Sequence, residues 1–313
     1  MPSKETVAAI DIGSNSIKLL VARLGDGTER IETVFTETIE TRISAGISRE
    51  QPILNNEAIH AGTKTIAELL HRASSYNPTQ TQLVATSAVR DALNGEKFIN
   101  STKSATGHSI RILSGSEEAT TIGKGLACDP AIENTPEFIQ MDIGGGSLEL
   151  IRFSQGKIQQ ALSLQLGAVR LTERFIQDRE IPVTASIERA IQEHVCTELV
   201  KSNFPFAPYS DRLIATGGAF SATRAVLAAE AGTTIENFRA QLTGNDISTL
   251  KSKLAAMPLH ERILVPHLPA SRADIVPTAL ITIETLLKHA QRDRLTHSFY
   301  NLRYGLVAKM LGL

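Results

Sequence analysis

Two rhythms of apolar and polar positions alternate along this chain. Runs that are apolar or period-two predict strands at TVAAIDIG, SIKLLVARLG, RIETVFTETIE, TQLVATSAV (81–89) and SIRIL (109–113). The second half repeats the scheme, with strands expected at 138–143, 147–155 and 157–164. Helical spacing fills the gaps: NNEAIHAGTKTIAELLHRA with an Asn at its start, a stretch near 95–106, the segment LSGSEEATTIGKGLA, and residues 167–177 and 184–202. RLIATGGAFSATRAVLAAE reads as strand, Gly-Gly turn and helix, and about the last 70 residues read as mostly helical. Asp26-Gly27 signals a hairpin turn, while PFAP and CDPAIENTP read as loops.

One stretch has an echo. AIDIGSNSIKLLV (9–21) set against QMDIGGGSLELIR (140–152) matches at a constant offset, placing Asp11 on Asp142, Gly13 on Gly144 and Ser16 on Ser147. A repeat at nearly half the chain length implies two related α/β domains, which 313 residues accommodate. With 42% hydrophobic residues the chain can build two cores, and a net charge of −1 gives no general surface for nucleic acid. No apolar run is long enough to span a membrane, and the one near the N-terminus is too short for a signal peptide. Cys128 and Cys196 match no disulfide or metal spacing and read as small apolar residues of a reduced compartment, so the cytoplasm is expected. The eight histidines show no ligand spacing, which argues against zinc.

Three glycine turns carry the candidate chemistry. DIGSNS holds Gly13, Ser14 and Asn15; DIGGGS holds Gly144, Gly145, Gly146 and Ser147; ATGGAFS holds Thr216, Gly217 and Gly218. Glycine permits positive φ and close approach to the amides, whose successive N–H groups form an anion-binding nest. The third turn also opens a helix, whose N-terminus favours phosphate. Ser14, Asn15, Ser147 and Thr216 add side-chain donors. Any one of these is an ordinary hairpin turn; the set of three points to phosphate. Asp11 and Asp142 sit at strand ends beside the nests and are placed to hold Mg²⁺, with Glu149 a weaker third candidate. Their plainer readings are Asx turn-capping for the aspartates and an exposed strand position for Glu149.

The motifs AIDIGSNSIKLLVA, ATSAVRDA, ILSGSEEA, DIGGGSLEL, LQLGAVRLTERF, ATGGAFSATRA and SRADIVPTA together resemble the exopolyphosphatase and guanosine pentaphosphate phosphatase family. The resemblance implies an α/β fold of two actin-like (ribonuclease H-like) domains facing each other across a cleft. Domain I would be 1–122 plus 298–313 and domain II 123–297. It implies Mg²⁺-dependent hydrolysis of a terminal phosphoanhydride of polyphosphate or guanosine pentaphosphate, with no nucleic-acid or membrane partner and a homodimer left open. In that family a glutamate of the GSEEA element is the general base; Glu117 and Glu118 are the candidates here, and Glu118 aligns with the second glutamate of the family motif. Ser114 with Glu117 makes a capping-box pattern, so Glu117 has a structural duty and Glu118 none. Arg90 would bind the transferred phosphate and Arg272 a neighbouring one. Arg170 and Arg174 fall on one helix face, lining the anionic cleft or simply carrying solvated charge.

The chain departs from the family at Pro277-Thr278, where an altered helix start or a kink is expected, at Asn301 and Tyr304 of NLRYG, and at Leu148. Against the longer members of that family the chain is expected to be a short form without their C-terminal helical domain, which favours short chains over processive attack on long ones. Two rivals stay open: a kinase of the same superfamily, and a nucleotide or alarmone sensor without turnover.

Overall fold

The computed structural model describes residues 5–27, 29–132, 135–155, 157–206 and 212–313. The two loops PFAP and CDPAIENTP therefore fall partly outside the described residues, as does the start of the N-terminal stretch; Asp26 and Gly27 are described, with Gly27 at a positive φ of 92°. The chain forms two units: Met1–Thr135 with Ala161–Ser163 and Tyr300–Leu313, and Pro136–Gln160 with Leu164–Phe299.

The first unit runs β1 (Thr6–Ile12), β2 (Ser16–Leu24), β3 (Ile31–Glu40), α1 (Asn56–Ser74), β4 (Gln80–Ala85), α2 (Ser87–Asp91), α3 (Gly95–Thr106), β5 (Ile110–Ile112) and α4 (Gly115–Leu126). Its strands lie in the order β3-β2-β1-β4-β5. β1 pairs antiparallel with β2 and parallel with β4. A central strand covered on both faces needs a continuous apolar run, and β1 from Val7 to Ile12 is buried throughout. Asn55 caps α1 by accepting from the Ala58 N–H at 2.7 Å.

The second unit runs β6 (Glu137–Ile143), β7 (Leu148–Ser154), β8 (Lys157–Leu164), α5 (Ala168–Phe175), α6 (Ala185–Ser202), β9 (Leu213–Thr216), α7 (Gly218–Glu230), β10 (Gln241–Thr243), α8 (Gly244–Ala256), α9 (Leu259–Arg262), α10 (Val276–His289) and β11 (Arg294–His297). Its order, β8-β7-β6-β9-β11-β10, repeats that of the first sheet and adds β10 at the far edge. β6 is again antiparallel to β7 and parallel to β9. Both units thus have the actin-like topology, and the sequence echo marks the same hairpin in each. The chain then returns to the first unit as α11 (Leu302–Met310), packed on α4, β1 and β2. Among the described residues no helix is long and apolar enough to cross a membrane.

Several expectations need correction. TQLVATSAV is a strand only as far as Ala85; at Thr86 the chain turns into α2, with the Thr86 N–H donating to the Ile12 carbonyl and the Arg90 N–H to the Thr86 carbonyl. The C-terminal stretch contains two strands, β10 and β11, each too short to show a period. Pro277 does not kink α10. It lies in the first turn, where a missing N–H costs nothing, and the helix continues to His289. Thr278 beside it accepts from the Thr172 hydroxyl at 2.9 Å inside the core. Asn301 caps α11 by accepting from the Arg303 N–H, Tyr304 meets the Thr33 hydroxyl, and Leu148 is fully buried in β7.

Candidate active site

In the first unit the chain ends of β1 and β4 gather the polar residues. The turn after β1 closes with the Gly13 N–H on the Ser16 carbonyl at 3.1 Å. Asp11 is buried, with Lys18 opposite it on β2 and the Lys18 Nζ 3.9 Å from its carboxylate. Burial pushes the Asp11 carboxyl above the usual carboxylate range, and Lys18 and then Arg303 oppose the shift without cancelling it. The Ser14 hydroxyl meets that of Ser87, in the first turn of α2, at 3.0 Å. Asn15 donates to Glu40 and accepts from the Arg42 Nε at 3.0 Å, so its side chain is occupied within the protein.

Arg90 and Glu118 come together in the same unit. Arg90, on α2, donates one N–H nitrogen to the Glu118 carboxylate at 2.7 Å and to the Leu113 carbonyl at 3.0 Å, with Asp91 3.5 Å from its Nε. Glu118 lies in the first turn of α4 and is only 6% exposed. Its neighbour Glu117 makes both bonds of the capping box with Ser114 and pairs with Arg111. Those bonds from Ser114, then from Arg111, hold the Glu117 carboxyl below its usual range. The two adjacent glutamates thus divide as their local chemistry predicts: one caps the helix, the other faces an arginine.

In the second unit the corresponding hairpin closes with the Gly144 N–H on the Ser147 carbonyl at 3.0 Å. None of Gly13, Gly144, Gly145 or Gly146 uses the positive φ that glycine permits. The requirement is close approach: a Cβ on Gly167, just before α5, would lie 2.3 Å from the Gly146 backbone. The N–H groups of Ala168 and Val169 hold the Gly144 and Gly145 carbonyls, and the Arg170 Nε holds that of Gly146. Among the described residues the amides of Asn15, Gly145, Gly146 and Ser147 meet no acceptor. Arg170 is buried, whereas Arg174 on the same helix is exposed beside Phe175. The shared face expected of the pair is therefore divided.

Asp142 is buried, and Glu149 stands opposite it on β7 at 1% exposure, not at an exposed strand position. The Thr216 hydroxyl donates to Asp142 at 2.6 Å and accepts from the Gln140 amide at 3.1 Å, so it is committed to the interior. Gly217 has φ 98°, and a Cβ there would lie 2.5 Å from the Asp142 carboxylate. Only glycine fits. The Arg272 guanidinium covers the next residue: a Cβ on Gly218 would lie 2.0 Å from it. Behind this turn the Ser221 hydroxyl donates to the Gly217 carbonyl at 3.1 Å and meets the His297 Nε2 at 3.2 Å; Arg224 meets the His297 Nδ1 at 3.3 Å. Among the described residues no three His, Cys, Asp or Glu side chains gather to hold a metal.

The sequence did not single out Lys18, Arg42 or His297. The constant offset already set Lys18 under Glu149; nothing in the pattern flagged the other two. A family model described as the Ppx/GppA phosphatase family matches residues 20–313. The structure of an exopolyphosphatase from Cytophaga hutchinsonii is similar over 98% of both chains, at 24% identity and a TM-score of 0.87. The Aquifex aeolicus PPX-GPPA enzyme matches over 97% of this chain and 99% of its own, at 24% identity and a TM-score of 0.78. At these identities the structures establish the shared fold.

Proposed function

The chain belongs to the Ppx/GppA phosphatase family, and on that premise we propose that it hydrolyses the terminal phosphoanhydride of inorganic polyphosphate, of guanosine pentaphosphate, or of both. The observation that carries the reading is the Arg90–Glu118 pair at 2.7 Å, a buried carboxylate facing a half-buried guanidinium. Water attacks the terminal phosphorus, the bond to the bridging oxygen breaks, and Glu118 takes the proton that the water loses. Arginine's planar fork suits phosphate oxygens. A phosphate accepted by Arg90 draws it away from Glu118, and a carboxylate relieved of its cation is a stronger base. The N–H groups of the glycine turns donate to further phosphate oxygens, and Arg272 on Gly218 adds positive charge.

The acids of the second unit fit Mg²⁺. Asp142 and Glu149 stand directly opposite each other, and Mg²⁺ needs only one or two protein carboxylates. Asp142 and Glu149 would hold it, while Asp11 already faces the Lys18 ammonium. Bound Mg²⁺ would neutralise charge on the phosphate oxygens. The free Cys128 and Cys196 suit a reduced, cytoplasmic setting.

The test is phosphate release by purified protein with Mg²⁺ from short polyphosphate, long polyphosphate, guanosine pentaphosphate and ATP. Release from polyphosphate or pentaphosphate is expected. Glu118→Gln should lower kcat about 10²–10⁴-fold while leaving binding nearly intact. Wild-type protein that binds these compounds but releases nothing would overturn the proposal in favour of a sensor, and transfer from ATP to an acceptor would favour a kinase.

A further inference from the structure

The likeness of the two halves reaches beyond the repeated hairpin to what stands behind it. A trans peptide points its N–H opposite to its C=O. Carbonyls gripped from one side therefore turn the following amides to the other. In the second unit the grip comes from the residues that follow β8: Ala168, Val169 and Arg170 hold three successive carbonyls of the DIGGGS turn. In the first unit it comes from the residues that follow β3. There the Ser44 N–H holds the Ser14 carbonyl, and the Thr41 and Arg42 N–H groups hold that of Asn15.

Arg42 and Arg170 occupy matching places in this arrangement. Each gives its backbone N–H to a turn carbonyl, Arg42 to Asn15 at 2.9 Å and Arg170 to Gly145 at 3.1 Å. Each aims its Nε at the third residue of the turn, Arg42 at the Asn15 side-chain oxygen at 3.0 Å and Arg170 at the Gly146 carbonyl at 2.9 Å. Asn15 and Gly146 are the same position of the repeat. Arg42 takes up a left-handed φ of 41° to make its contacts, which is unfavourable for a residue with a side chain, and Arg170 is buried. The match is spatial only: under the offset that aligns the hairpins, Arg42 would fall on Glu173.

We infer that Arg42 and Arg170 are paired positioning residues, one in each unit, which fix the turn amides in their anion-binding orientation. The inference rests on the reading that these turns accept phosphate oxygens. The arginines act through the turns, so the position of the Nε donor matters and the net charge alone does not suffice.

Arg42→Lys and Arg170→Lys keep the charge but lose the Nε and the fork; Arg42→Gln and Arg170→Gln lose both, and Arg174→Lys is the control. Binding of inorganic tripolyphosphate is titrated by calorimetry at several salt concentrations, alongside thermal unfolding and phosphate release. Both lysine variants should bind roughly tenfold more weakly, the worth of one charge-assisted hydrogen bond. Their salt dependence should match wild type, and that of the glutamine variants should be shallower. KM should rise more than kcat falls, and Arg174→Lys should change nothing. Wild-type-like binding in the lysine variants overturns this inference alone. Binding by wild type without phosphate release overturns the hydrolase reading alone, and no binding by wild type overturns both. If Arg170→Lys fails to fold, Arg42→Lys, in a half-buried loop, decides.

Discussion

Gly305→Ala should destabilise the protein, and the sign of the effect is the test. Gly305 lies on α11 where that helix crosses α4. A Cβ there would stand 1.8 Å from the Thr121 carbonyl oxygen and 2.7 Å from its carbon. The crossing is close from the other side too, since a Cβ on Gly125 would lie 2.3 Å from the Asn301 carbonyl oxygen. Ordinary contact would require the helices to part by roughly 1.5 Å, and overpacking of this kind costs about 1–3 kcal/mol or more. Against that, alanine is the better helix former by about 1 kcal/mol. With backbone as the obstacle the steric cost should win. A net loss of about 1–2 kcal/mol corresponds to a Tm lowered by roughly 2–8 °C. Because α4 carries Glu118, phosphate release should fall as well. Differential scanning calorimetry of the variant settles the stability question. A Tm equal to or above that of wild type would mean that the helices do not approach as described.

Thr216→Val keeps the volume and removes a donor from Asp142 and an acceptor from Gln140; urea unfolding should show about 1–3 kcal/mol lost, and no loss would refute the assignment of those bonds. Burial pushes the Glu284 carboxyl up, but hydrogen bonds from Lys288 and Lys251 together outweigh it and hold the group below its usual range. Its contribution is thus complete above the unfolded value and fades as pH falls through the folded one. Glu284→Gln should therefore weaken the protein at pH 7 and match wild type at acid pH, and a difference that persists in acid would contradict the pairing. Burial, and then Arg224, lower His297 to about 3. Between the unfolded value near 6.5 and about 3, unfolding takes up a proton, so wild-type stability should fall with pH by at most about 1.4 kcal/mol per unit. His297→Gln should lack this component in proton-uptake calorimetry.

The central hairpins were legible because a strand buried on both faces and a hairpin repeated at fixed offset both leave marks in the residues themselves. Glu117 and Glu118 could be told apart because a capping box is a local pattern. Failures came where tertiary contact decides. β10 and β11 are three and four residues long and exist through their neighbours in the sheet. Ser87–Asp91 becomes helix because the chain must leave the sheet after Ala85, not because its residues prefer it. For Glu149 and Arg170 a surface position stands beside a functional one in the sequence, and only tertiary packing decides that both are buried. Asn15 and Thr216 were read as donors to a ligand, whereas Glu40, Arg42 and Asp142 occupy their side chains.

The return of α11 has a consequence for synthesis. Its seat on α4, β1 and β2 is formed from residues made early, yet the helix itself begins at Leu302. At ordinary ribosomal speeds the gap after α4 lasts roughly 10–35 s. Throughout that interval the nascent first unit carries a vacant apolar seat where α11 will dock, next to the helix that holds Glu118. Its completion therefore waits until the second unit has been made, and a chaperone able to cover that seat would raise the yield of native protein without altering its final stability.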